Sequence, residues 1–375
     1  MADIEGISTD EDRDIIDSLS EGVYVCDLDR RITYWNKSAE RITGWTAKDV
    51  IGRQCFDNVL CHIDKDGHRL CGEEYCPLHR SMVTGTGSRT SLLVFAQGKD
   101  GKRVPMQVSV APMHNAKGQV VGGVETFRDA SEMVHDLERA KAIQELALHH
   151  DVPQDDRVTF TTHYVPHDII GGDYYAIKKL DDQRYGLMLA DVTGHGIAAA
   201  LYTMHLSQLW ERFHYLLVNP TEFADKVNKE LVKVVKGDDS FATATCALVD
   251  LENQVFRFAG AGGPQILLMH SDGTHEYIEE PGLPLGVIGD AFYKEASADV
   301  HQGDRLLLFT DGAVEVTDAA GNFLDVEGLI AILQKQGYPK TNIRMDELEE
   351  DLLKYSNTIR LDDDLTFIEV RIGKP

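Results

Sequence analysis

Short runs in which apolar and polar side chains alternate open the chain. Gly22–Leu28 (GVYVCDL) and Arg31–Trp35 (RITYW) flank the turn Asp29-Arg30 and read as two strands. Lys37–Ile42 reads as a short helix closed by Gly44. Three more strand-like runs come next, Ser91–Ala96, Val104–Pro112 and Val120–Arg128, joined by the turn sequences 98–101 (GKDG) and 115–118 (NAKG). Such turns fit hairpins, so the spacing predicts an antiparallel sheet. Residues 131–150 carry no Gly or Pro and are rich in helix formers. Ala130, Met133, Leu137, Ala140 and Ala147 fall at heptad a/d spacing, with Gln144 as the polar exception. That pattern suits a short coiled-coil linker or a single amphipathic helix packed on the second domain.

From Arg157 the periodicity changes. Strands are predicted at Val158–Val165, Tyr174–Lys179, Tyr185–Val192, Phe241–Val249, Gln254–Ala259, Gln265–Met269, Tyr293–Val300, Arg305–Thr310 and Leu365–Ile372. Helices are predicted at Ile197–Phe213, Thr221–Lys236, Val326–Lys335 and Met345–Asn357. Strands outnumber helices and the connections are hairpin-like, which argues α+β with antiparallel sheets. The expected organisation is an acidic tail over 1–14, a first domain over 15–130, a helical linker over 131–153 and a second domain over 154–375.

Composition narrows the partners. The 375 residues carry a formal net charge of -25, which repels phosphate backbones and anionic lipid, so neither nucleic acid nor a membrane surface is an expected partner. No apolar run reaches the ~20 residues needed to span a bilayer, and the N-terminus lacks the apolar core of a signal peptide. The cytoplasm is the expected location. There, the six cysteines are expected to be thiols, metal ligands or redox sensors rather than disulfides.

Four aspartates in the second domain end or begin apolar strands beside glycine: Asp173 in GGD, Asp191 in DVTGHG, Asp311 in TDG and Asp363 in DDD. A carboxylate closing a buried strand must be paired, hydrogen-bonded or metal-bound, because burying it alone costs several kcal/mol. Several at one sheet edge repel one another unless a divalent cation neutralises them, and hard oxygen ligands favour Mg²⁺ or Mn²⁺. An Asp beside Gly is usually only a turn; the repetition is what carries the reading.

The motifs GGDYY, LADVTGHGIAAAL, FATATCALVD, AGAGGP, GDRLLLFTDGAVE and DDDLTFIEV, in this order over roughly 157–373, resemble the SpoIIE/RsbU branch of the PPM metal-dependent protein phosphatases. The resemblance implies a pair of β-sheets sandwiched between helices. It also implies two Mn²⁺ or Mg²⁺ ions on Asp173, Asp191, Asp311 and Asp363, with the Val192 carbonyl facing a metal and Asp364 a close alternative to Asp363. Asp191 would bridge the ions, and a water held between them would attack phosphorus in line. The substrate implied is a phosphoserine or phosphothreonine protein of the anti-anti-sigma (STAS-domain) type. Relatives commonly show Ala-Gly-His-Pro where this chain has Ala261-Gly262-Gly263-Pro264, which leaves open any role of that position in orienting substrate. His195 could sit near the phosphate or simply serve the turn, and Cys246 reads as core.

Residues 15–130 resemble a PAS domain through the segments 21–45 (EGVYVCDLDRRITYWNKSAERITGW), 48–56 (KDVIGRQCF) and 120–133 (VVGGVETFRDASEM). PAS domains hold haem, flavin, small metabolites or nothing, so the ligand stays open. Cys55, Cys61, Cys71 and Cys76 lie within 22 residues beside His62, His68 and His79. They could hold Zn²⁺ or an iron–sulfur cluster, act as redox-active thiols, or be inert. PAS domains and coiled-coil linkers commonly pair, so a homodimer is expected.

Three other readings compete. Gly171-Gly172-Asp173 begins like a diguanylate cyclase signature, but Tyr174-Tyr175 replaces its acidic fourth position. His149-His150-Asp151-Val152-Pro153 after a PAS-like region suggests a histidine kinase, yet no Asn-rich ATP-binding helix is found downstream. A pseudophosphatase would be expected to lack one of the four aspartates, and all are present.

Overall fold

The computed structural model describes residues 10–72, 75–88, 91–148, 151–194, 196–234, 240–358 and 360–373. The chain divides into two compact units, 1–138 and 139–375.

The first unit runs α1 (Asp10–Ser18), β1 (Gly22–Asp27), β2 (Ile32–Trp35), α2 (Lys37–Thr43), α3 (Ala47–Val50), α4 (Pro77–Thr84), β3 (Leu92–Gln97), β4 (Arg103–His114) and β5 (Val120–Asp129). The strands form an antiparallel sheet in the order β2-β1-β5-β4-β3. Helix α1 corrects the acidic-tail expectation, since it starts at Asp10, inside that stretch. Its end is held by the fully buried Asn36, whose amide donates to the carbonyls of Ile16 (3.0 Å) and Glu21 (2.9 Å). The same side chain caps α2, accepting from Ala39 N at 2.8 Å. Tyr24, Trp35 and Phe127 form the aromatic centre of the core, which α4 covers with Leu78 and Met82.

Helix α5 (Ser131–Leu148) comes next, and the division between the units falls within it. The second unit continues with β6 (Val158–Val165), β7 (Asp173–Lys179), β8 (Arg184–Val192), α6 (Ile197–Phe213), α7 (Pro220–Val234), β9 (Ala242–Asp250), β10 (Val255–Ala261), β11 (Ile266–Met269), β12 (His275–Ile278), β13 (Glu295–Asp299), β14 (Arg305–Phe309), α8 (Asp325–Lys335), α9 (Met345–Ser356) and β15 (Leu365–Ile372). Two antiparallel sheets form, β13-β10-β9-β8-β7 and β12-β11-β14-β15-β6.

Strand alternation builds the layers. Tyr185, Leu187 and Leu189 of β8 face Leu306, Leu308, Ile368 and Val370 of the other sheet and close a dry interior between them. The intervening positions Met188, Ala190 and Val192 point outward onto α6 and α7, around Trp210, Phe213 and Phe223. On the opposite side, Leu307, Phe309, Leu365 and Phe367 pack on α8 and α9. The result is four layers, helices–sheet–sheet–helices, which is the α+β architecture expected from the strand and helix pattern.

Candidate metal and active site

The alternation that fills the interior also builds the site. Asp191 continues the inward series Tyr185, Leu187, Leu189, and Asp173 sits opposite it in the β7–β8 register. From the facing sheet, Thr310 continues Leu306 and Leu308, while Thr366 precedes Ile368 and Val370. Two carboxylates and two hydroxyls therefore meet at one end of the space between the sheets.

Asp173 is buried, and its Oδ2 accepts from Thr310 Oγ1 (2.9 Å) and from Thr366 Oγ1. Thr310 Oγ1 also accepts from Thr366 N at 3.1 Å. The other oxygen, Asp173 Oδ1, is buried without a hydrogen-bond partner, as is Asp311 Oδ1. Burial and the neighbouring charges of Asp191 and Asp364 push Asp173 well above the usual carboxylate range. Burial, with the charges of Asp311 and Asp363, raises Asp191 to about 8. Asp311 is raised by burial and by Asp363. No three of these carboxylates bring oxygens within 4.8 Å of one another. Asp191 is the common neighbour: its charge acts on Asp173, and the charges of Asp311 and Asp363 act on it.

Asp363 and Asp364 take different jobs. Asp364 is buried and already committed, accepting from the backbone N–H of His167 (2.6 Å), Gly172 (2.5 Å) and Asp173 (3.3 Å). It clamps the loop that carries Asp173. Asp363 is exposed, accepts among the described residues from its neighbour Asp364 N (2.8 Å), and is the member of the pair whose charge acts on both Asp191 and Asp311. Two glycines permit this closeness. A Cβ on Gly171 would lie 1.9 Å from the Tyr164 hydroxyl, and one on Gly312 would lie 2.0 Å from the Asp364 carbonyl. The Val192 side chain is in the helix-facing core, which leaves only its backbone to the site; its carbonyl lies 3.0 Å from where a Gly172 Cβ would stand.

Sequence reasoning passed over several neighbours. Thr310 and Thr366 lay in the motifs TDG and DDLT, and the inward parity of their strands was the signal. Glu315, raised by burial and by the charges of Asp311 and Asp363, faces the same cluster. Gln144 of α5 donates to the Gly171 carbonyl (2.8 Å) and to Thr203 Oγ1 (2.9 Å), behind the GGD turn. His195, His149 and His150 lie outside the described residues. Cys246 is fully buried in the core beside α6 and α7. Gly263 lies against Thr245 and Ala244 near the Asp191 strand end, with room for a Cβ at ordinary contact distance.

In the first unit, Cys55 and Cys76 are buried, Cys61 and Cys71 half-buried, and all are free thiols. Among the described residues no three of them converge to coordinating distance. The group that does so there is Asp64, Asp66 and His68, where Asp64 already accepts from the backbone of Asp66 and His68 and from the His68 ring.

The sequence profile of the family described as Stage II sporulation protein E (SpoIIE) matches residues 181–373, just over half of the chain. The PAS fold matches residues 10–130. Phosphoserine phosphatase RsbP of Bacillus subtilis (strain 168) is 29% identical over 185 residues, 48% of this chain and 46% of RsbP. The chain thus spans about half the length of that relative. Phosphoserine phosphatase RsbU of the same organism is 27% identical over 241 residues, covering 64% of this chain and 71% of RsbU. The solved SiaA-PP2C domain of Pseudomonas aeruginosa shares the fold, with a TM-score of 0.55 at 18% identity over 65% of this chain and 100% of that domain. The chain belongs to the SpoIIE family of PPM-type phosphatases and carries a PAS domain ahead of its phosphatase domain.

Proposed function

We propose that the second unit hydrolyses phosphoserine or phosphothreonine on a partner protein in a metal-dependent reaction, under control of the PAS domain. The observation that carries this is the unbalanced carboxylate array. Asp173 and Asp311 each bury an oxygen with no partner, and Asp191 is driven up by burial and by the charges of Asp311 and Asp363. Such an arrangement is costly unless a cation satisfies it. The donors are all hard oxygens, which fits Mg²⁺ or Mn²⁺. Asp173, Asp191, Asp311, Asp363 and the Val192 carbonyl would hold two ions. When bound, the ions supply a water nucleophile at neutral pH and neutralise phosphoryl oxygens. The chain's own part is positional. Thr310 and Thr366 fix the rotamer of Asp173, Asp364 fixes its backbone, and the packed interior beneath excludes bulk water.

RsbP and RsbU are named phosphoserine phosphatases, which supports a phosphoserine substrate; that it is carried by a protein of the anti-anti-sigma (STAS) class is part of this proposal, from the resemblance of the motifs. Among the described residues no helix is long and apolar enough to cross a membrane, in keeping with a cytoplasmic enzyme. Pairing of two chains through the PAS domain and α5 completes the reading. The test is Mn²⁺-dependent hydrolysis of a phosphoserine peptide by the full chain, beside Asp191→Ala and Asp311→Ala. Metal-dependent turnover lost in both variants supports the proposal. Absence of turnover in the full chain and in residues 139–375 alone refutes it.

A further inference from the structure

Inside the first unit lies a second polar group that phosphate hydrolysis does not use. The β1–β5 register sets Glu125 opposite Tyr24 and Gly123 opposite Cys26, with all four on the inner face. Tyr24 donates to Glu125 Oε2 at 3.2 Å. Glu125 Oε1 and His62 Nε2 face each other at 3.6 Å, and both atoms are buried with no hydrogen-bond partner. Burial lowers His62 to about 4 and raises Glu125 to about 8, so at neutral pH they are not an ion pair.

That separation is too long for a hydrogen bond. It is, however, close to what a shared ion would set. Two ligand atoms each about 2.05 Å from a metal at a tetrahedral angle stand roughly 3.3 Å apart. Thiols lie near the pair: among the described residues no sulfur stands within 4.8 Å of both atoms, but Cys71 and Cys76 are each close enough to feel the Glu125 charge. Cys71 Sγ accepts from the backbone N–H of His62 at 3.0 Å. Cys76 Sγ caps α4, accepting from His79 N at 3.5 Å, and α4 lies over Gly123 through Leu78 and Met82. Cys55 belongs to the same buried cluster. Cys61 is turned toward the Phe56 carbonyl (3.5 Å). Closing a site on the pair therefore requires a thiol to turn to another staggered rotamer, a swing of about 3 Å.

We propose that His62 and Glu125 are two ligands of a thiolate-containing site for a divalent transition metal of the zinc class in the PAS core, completed by Cys71 and Cys76. The mixed nitrogen, oxygen and sulfur set suits Zn²⁺ better than Mg²⁺ or Ca²⁺. Binding would release the thiol protons and the Glu125 proton, leaving each ligand in the form that coordinates. The competing idea, a redox-reactive thiol, fits less well. Burial holds Cys71 up near 12 and Cys55 higher still, whereas oxidation-prone cysteines are low-pKa and accessible.

The test uses the full chain, stripped with EDTA and titrated first with Co²⁺ and then with Zn²⁺. Thiolate ligation gives Co²⁺ an intense near-ultraviolet charge-transfer band that the oxygen ligands of the second unit cannot produce, so the signal reports the first unit alone. The expected result is a saturable band with the amplitude of one thiolate-bound Co²⁺ per chain, displaced by Zn²⁺, to which Co²⁺ held by the carboxylates of the second unit adds nothing. Its apparent affinity should fall by about 100-fold or more in His62→Gln and in Glu125→Gln, with the band diminished in Cys71→Ser and unchanged in Cys246→Ser. No band in the wild type overturns the proposal. So does a band of unchanged affinity in whichever of the two Gln variants keeps the wild-type circular dichroism.

Discussion

The two threonines behind Asp173 give the sharpest test of how the site is held. Thr366→Val is nearly isosteric and opens no cavity, yet it removes one of two hydroxyls donating to Asp173 Oδ2. Thr310→Val removes the other, and it also strips Thr366 N–H, a buried donor, of the acceptor it uses at 3.1 Å. Without metal, Asp173 is driven toward its neutral form, and a neutral hydrogen bond contributes about 1 kcal/mol; to the carboxylate it contributes about 1.5–3 kcal/mol. Each variant should therefore cost the metal-free protein about 1 kcal/mol in the common bond. Thr310→Val should cost roughly 1–3 kcal/mol more for the orphaned N–H. The charged-minus-neutral difference, on the order of 1–2 kcal/mol, predicts about tenfold weaker Mn²⁺ binding in both. Urea denaturation of the stripped protein measures the first quantity, and Mn²⁺ titration by calorimetry and by hydrolysis rate measures the second. Thr310→Val no less stable than Thr366→Val, or wild-type Mn²⁺ affinity in both, would refute the account.

Gly312→Ala forces a Cβ to within 2.0 Å of the Asp364 carbonyl; the 363–365 backbone must shift, and phosphopeptide turnover should fall by more than about tenfold, as a misplacement near 1 Å does. Arg305 and Glu369 form a buried pair at 2.8 Å in the helix-facing side of the second sheet; Arg305→Met should destabilise by about 3–5 kcal/mol, and the double variant with Glu369→Leu should recover most of it in urea melts. Gln144→Leu leaves the Gly171 carbonyl without its side-chain donor, so a loss of about 1–3 kcal/mol in denaturation midpoint energy is expected, together with slower turnover. EDTA should abolish hydrolysis, with recovery on adding Mn²⁺ or Mg²⁺.

How far the sequence spoke can be argued from particular residues. Strands ending in DVT or TDG were legible because period-2 alternation and flanking glycine are local properties, and β6, β15 and α6 begin and end where the pattern places them. Helix α4 was not foreseen, though Pro77 at its start and Gly85 after its end mark it. Its apolar face is short, and it becomes a helix by covering β4 and β5, a contact distant in sequence. The same holds for α1, whose acidic surface resembles a tail until Asn36, eighteen residues beyond its last turn, supplies its partners.

Choosing between Asp363 and Asp364 lay beyond any spacing argument. Both are aspartates beside one strand, and only the folded chain shows that three backbone N–H groups consume Asp364. Gln144 carries the same lesson further. In the heptad register it is a polar intruder at a seam position, which would weaken a coiled coil. In the structure it is buried at 4% exposure, and both hydrogens of its amide are used, on Gly171 and Thr203. Ile143 and Leu146, one residue before it and two after, stay exposed at 59% and 82%. An apolar residue at 144 would pack on α6 equally well but would leave the Gly171 carbonyl unanswered. The polarity of that position is therefore explained by the GGD turn it supports, two residues from Asp173, and not by pairing between helices.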